Sequence, residues 1–260
     1  MGVTARVNYH IKSVSPQAFL VDADGLKGSL VAPELVNKTV NVQDARNGEF
    51  KFAFNRDGIV FNASPTKVNV ADESNDWRRI YEEEIQRLLK KEIGAQEVIV
   101  FDHTIRIDEP DAVRRPARNV HSDYSQSVAE QRLVDLLGEN QAERFRNGGF
   151  GFVNVWRPIG SPVKSSPLGF IHPGSMQPED WMTIDVVYPD RRGQVLGVAA
   201  NRKHQWFYLS EMHPDEVAIF NVYDSRGLPQ LAHSALDLTQ DGTGPEPRKS
   251  IESRTLVRYN

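Results

Sequence analysis

From Gly148 to the C-terminus the chain is a succession of short apolar runs cut by turns. "FGFVNVWRPI", "TIDVVYP", "VLGVAAN", "QWFYLS", "VAIFNVYDS", "LAHSAL" and "SIESRTLVRY" are rich in β-branched and aromatic residues, and Gly or Pro separates several of them. Runs this short favour strands over helices, and their spacing predicts an all-β sandwich or barrel-like core. The first ~70 residues add shorter candidates, "TVNV", "FKFAF" and "GIVF", with "RDG" as a turn.

Two stretches change period. "SNDWRRIYEEEIQRLLKKEIGA" places Trp77, Ile80, Tyr81, Ile85, Leu88, Leu89 and Ile93 at helical spacing, with Asn75 or Asp76 to cap it and Gly94 to end it. "SQSVAEQRLVDLLGENQAERF" reads as one or two helices, with Gly138 as the break. Between them lie a strand, "EVIVFDHTIRI", and a polar, proline-containing loop, "DEPDAVRRPARN". The expected organisation is one domain over residues 1–260, in which residues 1–97 pack their strands and helix on a core formed by residues 98–260.

Composition narrows the chemistry. The 260 residues contain no cysteine, which excludes thiol nucleophiles, disulfides and Cys-held metals. Any metal must sit on His, Asp or Glu. The net charge of −4 gives no basic footprint for nucleic acid. No run approaches the roughly 18 apolar residues that span a bilayer, and "MGVTARVNYHIKSV" lacks a signal-peptide core. Met1-Gly2 opens myristoylation sites too, but Arg6 stands where Ser or Thr is wanted. The expectation is a cytoplasmic protein with no membrane partner.

A hydrolase of the G-x-S-x-G kind is not encoded, and neither phosphate-cradling glycine pattern is present; "NGGFGF" leads into a strand. What remains is a metal on His and carboxylate. Two H-x-D triplets occur, His121-Ser122-Asp123 and His213-Pro214-Asp215. Side chains two apart in extended chain share a face and reach one ion, and two His with one carboxylate leave three coordination positions open. Each triplet alone is equally compatible with a polar turn. His213-Pro214-Asp215 has the look of a turn or helical cap, because Pro suits a first turn and acids suit a helix N-terminus. His121 has His233 lying 112 residues downstream, far enough for the chain to return to the same pocket. His233 in "LPQLAHSALDL" is also compatible with a core imidazole bonded to a backbone carbonyl. Beyond it, Arg248, Ser250 and Arg254 fall at even offsets, on one face of a strand. An inward Arg needs an anion, and a dicarboxylate is one; a solvated surface strand is the alternative.

The blocks "VHSDYS", "VNVWRPIGSPVKSSPL", "VVYPDR", "QWFYLSEMHPDEVAIFNVYDS", "LAHSAL" and "PRKSIESRTLV" come in the order of one enzyme family. Over residues 98–258 the chain resembles the Fe(II)/2-oxoglutarate oxygenases that include gibberellin desaturase, the AsaB-type hydroxylase/desaturases, the cephamycin methoxylation component and the meroterpenoid endoperoxide-forming enzyme. The resemblance implies a mainly β fold with flanking helices, a double-stranded β-helix (jelly-roll, cupin-like) core. It implies Fe(II) on His121, Asp123 and His233, with 2-oxoglutarate as co-substrate. Arg254 is its first choice for the distal carboxylate and Arg248 its second. Asn154 and Trp156 would line the pocket, Asn154 beside the co-substrate, and Trp156, Tyr124 and Tyr208 would meet the substrate. Two positions depart from the family pattern. Ala232-His233-Ser234-Ala235-Leu236 replaces Pro-His-Thr-Ala-Phe, and Asn221 stands where a Lys is frequent. The implied partners are dioxygen and a small natural-product molecule, with a homodimer left open. The rival readings are a non-catalytic jelly-roll binding protein and a cupin-like metal hydrolase or isomerase.

Overall fold

The protein is described by a computed structural model over residues 2–13, 15–22, 30–48, 50–69, 76–190, 192–239 and 246–260. Its strands form two sheets. The larger runs, in spatial order, β15 (Asp237–Leu238), β1 (Val3–His10), β4 (Leu35–Asp44), β12 (Trp206–Tyr208), β9 (Leu168–Ile171), β14 (His233–Ala235), β7 (His121–Ser122), β11 (Arg192–Val198), β10 (Trp181–Val187), β2 (Gln17–Val21) and β3 (Leu30–Val31). The smaller runs β5 (Ile59–Ala63), β13 (Glu216–Asp224), β8 (Phe150–Pro158), β16 (Lys249–Arg258) and β6 (Glu97–Ile107). The fold is the expected jelly roll.

Alternation along β8 explains how the layers are held. Phe150, Phe152 and Trp156 point between the sheets and meet Leu168, Phe170, Phe207 and Phe220 in one cluster. Val153 and Val155 point the other way, onto Tyr81, Ile85 and Leu89 of helix α2 (Asp76–Ile93). All nine residues of β8 are therefore buried. Each of the three α2 side chains contributes about 1.5–3 kcal/mol through burial. A third cluster lies on the far side of the larger sheet, around Val7, Tyr9, Val42, Trp206, Tyr208 and Leu236.

The N-terminal region is not a separate layer. β1 and β4 pair along eight positions, and β4 then joins β12 in parallel, while β5 pairs β13 in the smaller sheet. Among the described residues of this region, β1, β4 and β5 thus extend both sheets rather than only resting on them. "TVNV" lies within β4 and "GIVF" starts β5, but "FKFAF" is not a strand. Its last residue opens the single-turn helix α1 (Phe54–Asp57), which Gly58 ends with φ 70°. Phe50 and Phe52 stack on each other and turn onto Phe207, so their alternation serves an aromatic cluster. The second helical stretch divides at Gly138, with φ 72°, into α3 (Gln126–Leu137) and α4 (Glu139–Gly148). Asn75 lies outside the described residues. Among the described residues no helix is long and apolar enough to cross a membrane.

Candidate metal centre

β7 has only two residues, yet it fixes the site. His121 is paired on one side with Gly197 of β11 and on the other with His233 of β14. Asp123 follows directly, before Ser125 caps α3 by accepting from the Val128 N–H at 3.4 Å. The segments that begin more than a hundred residues apart thus meet as neighbouring strands. One ligand atom from each of His121, Asp123 and His233 lies within 4.8 Å of the others. The His121 and His233 rings are 4.5 Å apart, and His121 Nε2 is 3.9 Å from Asp123 Oδ1.

Both imidazoles are oriented in the same way. His121 Nδ1 meets the Asn119 carbonyl at 2.8 Å, and His233 Nδ1 meets the Leu231 carbonyl at 3.2 Å. A carbonyl only accepts, so Nδ1 carries the proton and Nε2 keeps its lone pair for a metal. For His233 the core-histidine alternative and the ligand reading describe two nitrogens of one ring. Burial, then the neighbouring His233, pulls the His121 pKa down to about 4, and burial lowers that of His233. Both stay neutral at pH 7. Burial pushes the Asp123 carboxyl up, but Arg254, His233 and His121 outweigh it and hold it well below the ordinary carboxylate range. Two neutral imidazoles and one ionised carboxylate, His233 buried and the other two half-buried, form a donor set that suits a divalent non-haem iron.

Arg254, in β16, and Arg248, just before it, sit in opposite surroundings. Arg254 Nε donates to Asp123 Oδ2 at 3.4 Å, Nη1 to Asp102 at 2.8 Å, and Nη2 lies 2.8 Å from Glu252. Three carboxylates share one guanidinium, so an incoming dicarboxylate meets a surplus of negative charge there. This opposes the expectation that Arg254 clamps the co-substrate. Arg248 has no carboxylate within salt-bridge distance among the described residues. Its Nη1 donates to the Ser166 carbonyl at 2.5 Å and its Nε to Ser250 Oγ at 3.2 Å, with the guanidinium 5.0 Å above the Trp156 ring. Burial, then Arg106, pushes its pKa down to about 9. Arg106, opposite Ser250 in the β6–β16 ladder, is lowered by burial as well.

Asn154 is brought to the site too, but onto Asp123: its Nδ2 donates to Asp123 Oδ2 at 2.8 Å. Trp156 faces the same interior and floors the Arg248 end, away from the cavity that opens over Asp123. That cavity holds about 780 Å³ and is lined by Phe101, Asp123, Tyr124, Arg132, Val195 and Arg254, among others. Tyr124, expected to meet the substrate, lines this cavity, packed 4.6 Å from Phe152. Tyr208 is not. In β12 only Phe207 points between the sheets; Tyr208 turns with Trp206 into the cluster on the far side. His213 and Asp215 are a surface turn, with side chains 55% and 59% exposed. Asn221, one of the two departures from the family pattern, donates to the Leu228 and Pro229 carbonyls.

Three residues escaped the sequence reading. Arg106 could have been found by carrying alternation from Asp102 and Thr104 along β6. Glu252 was in plain view between Arg248 and Arg254. Gln230 gave no signal: its Nε2 donates to Ser122 Oγ, the Tyr124 carbonyl and the Val222 carbonyl, at 2.9, 2.6 and 2.6 Å. It holds the residues on both sides of Asp123.

Residues 10–258 match a family described as "YDMC: Oxidoreductase/YMDC permease-like domain". The hydroxylase/desaturase efuI of Hormonema carpetanum is 32% identical over 248 residues, covering 84% of this chain and 82% of that protein. The Fe(II)/2-oxoglutarate-dependent dioxygenase nvfI of Aspergillus novofumigatus is 29% identical over 229 residues, with coverage of 84% and 82%. A solved structure of the iron and alpha-ketoglutarate-dependent endoperoxidase NvfI superposes with a TM-score of 0.86 at 24% identity, covering 99% of this chain and 97% of that one. At that identity the superposition establishes the fold.

Proposed function

Because the chain belongs to the family of Fe(II)/2-oxoglutarate-dependent hydroxylase/desaturases and dioxygenases, we propose that His121, Asp123 and His233 hold its iron and that Arg248, aided by Arg106, holds the distal carboxylate of 2-oxoglutarate. The protein is a non-haem iron oxygenase of small natural-product molecules. When bound, the iron and its co-substrate supply oxidation of a C–H bond by dioxygen, with succinate and carbon dioxide released. The chain's own residues do the rest. The two Nδ1–H···O=C bonds fix the imidazole planes. The half-buried Asp123 stays ionised. Arg248 presents a buried guanidinium, and half-buried Arg106, which donates to the Arg115 carbonyl at 2.9 Å, adds a second cation near it. Tyr124, Phe101 and α3 wall the substrate cavity and restrict water near the ligands.

The observation that carries this reading is the converging donor set with its neutral, Nε2-directed imidazoles. The test is anaerobic addition of Fe(II) and 2-oxoglutarate, which gives a weak visible charge-transfer band, followed by 2-oxoglutarate-dependent succinate formation in air. Loss of iron binding in His121→Ala with His233→Ala completes it; iron affinity that survives the double change overturns the ligand assignment. The same reading treats residues 1–260 as one domain working in the cytoplasm without nucleic acid. The absence of cysteine and the net charge of −4 support it.

A further inference from the structure

The two oxygens of Asp123 have different neighbours. Oδ1 faces His121 Nε2 at 3.9 Å, on the metal side. Oδ2 takes two donors from the smaller sheet, Asn154 Nδ2 at 2.8 Å and Arg254 Nε at 3.4 Å. These donors are themselves fixed. Asn154 and Arg254 are opposite each other in the β8–β16 ladder, and Arg254 is gripped on its other nitrogens by Asp102, Thr104 and Glu252. Asn154 is 1% exposed, and its own Oδ1 has no hydrogen-bond partner. Its amide is therefore committed to Asp123 at the cost of an unsatisfied acceptor. Turning it over would set one oxygen against another.

We infer that Asn154 and Arg254 are positioning residues that occupy Asp123 Oδ2 and so limit this ligand to one oxygen on the metal. A carboxylate is otherwise free to chelate with both oxygens. Chelation would fill one of the three positions that the co-substrate and dioxygen need. The lock comes from the smaller sheet while all three ligands come from the larger one or its edge. It therefore also ties the metal geometry to correct closure of the two sheets. This rests on the iron-site reading above, and its test separates the two.

The experiment uses the full chain, anaerobic, with Fe(II) and 2-oxoglutarate as probes, and reads iron affinity and the visible charge-transfer band. Asn154→Leu removes the donor at nearly constant volume, and Arg254→Gln removes the charged one. Each is expected to weaken Fe(II) binding by roughly 10-fold or more, as loss of a ligand's hydrogen-bond partner does elsewhere. Each should also shift the band or reduce its amplitude at saturating iron. A merely structural loss would lower the melting temperature and leave the band unchanged. Asn154→Gln, which keeps an amide donor, should recover part of the band. If Arg254→Gln does not fold, Asn154→Leu decides alone. Wild-type band and affinity in Asn154→Leu overturn the inference and leave the iron site standing. No band in the wild type removes the iron-site reading, and the inference with it.

Discussion

Arg254 lies in β16, and Arg248 immediately precedes its first residue, Lys249. One is surrounded by Asp102, Asp123 and Glu252; the other has a carbonyl, a hydroxyl and an indole face. Around Arg254 the acids hold the guanidinium's pKa above its ordinary value despite burial. Around Arg248 burial and a second cation hold it below. The stretch thus has a saturated end at the metal and an anion-deficient end beyond it. A residue type and a shared face do not assign a role; the charge already spent on the side chain does.

The comparison breaks most visibly at Arg248. Arg248→Leu should weaken 2-oxoglutarate binding by about 100-fold or more, the scale for removing one partner of a buried ion pair. Titration of the charge-transfer band measures it, and Fe(II) affinity measured without 2-oxoglutarate should stay near wild type. If 2-oxoglutarate affinity survives this change and falls in Arg254→Gln instead, the two ends have been assigned in reverse. Arg106→Gln should weaken 2-oxoglutarate by about 10-fold, the smaller loss expected of a second, auxiliary cation. Acid should act at the metal end first. His121 and the nearby buried His10 each have a pKa pulled from 6.5 to about 4, so the unfolded chain binds their protons more readily than the folded one. Stability of the metal-free protein should therefore rise from pH 4 to 6.5 and be lost on acidification through that window, as thermal melts would show. The smallest effect is expected at the other H-x-D triplet. His213→Ala should change iron affinity by less than about twofold, because an exposed turn residue has no ion to release.

The clustering of His121, Asp123 and His233 was legible because two weak patterns supported each other: a triplet that shares a face and a distant histidine with strand around it. Family blocks then separated His121 from His213. The contrast between the two arginines was less legible. Alternation put Arg248 and Arg254 on one face, but says nothing of which acids the β6 strand brings opposite them, and the β6–β16 register shifts between Arg254 and Thr255. Tyr208 failed for a related reason. "QWFYL" is buried on both faces of its sheet, so a run of aromatics carries no parity to read. "FKFAF" alternated like a strand for the sake of an aromatic cluster. β7, with two residues, is too short to have a period at all.

Gln230 has a consequence for how the protein reaches its working state. One amide fastens Ser122 and Tyr124, at the start of α3, to Val222 and to the approach to His233, across more than a hundred residues of chain. Contacts between such distant segments carry the largest loop-closure entropy and form late in folding. No short stretch of this sequence holds even a two-strand version of the site. Iron capture should therefore report the last step of folding and cannot seed the first, and a nascent chain lacks the complete site until β14 has left the ribosome.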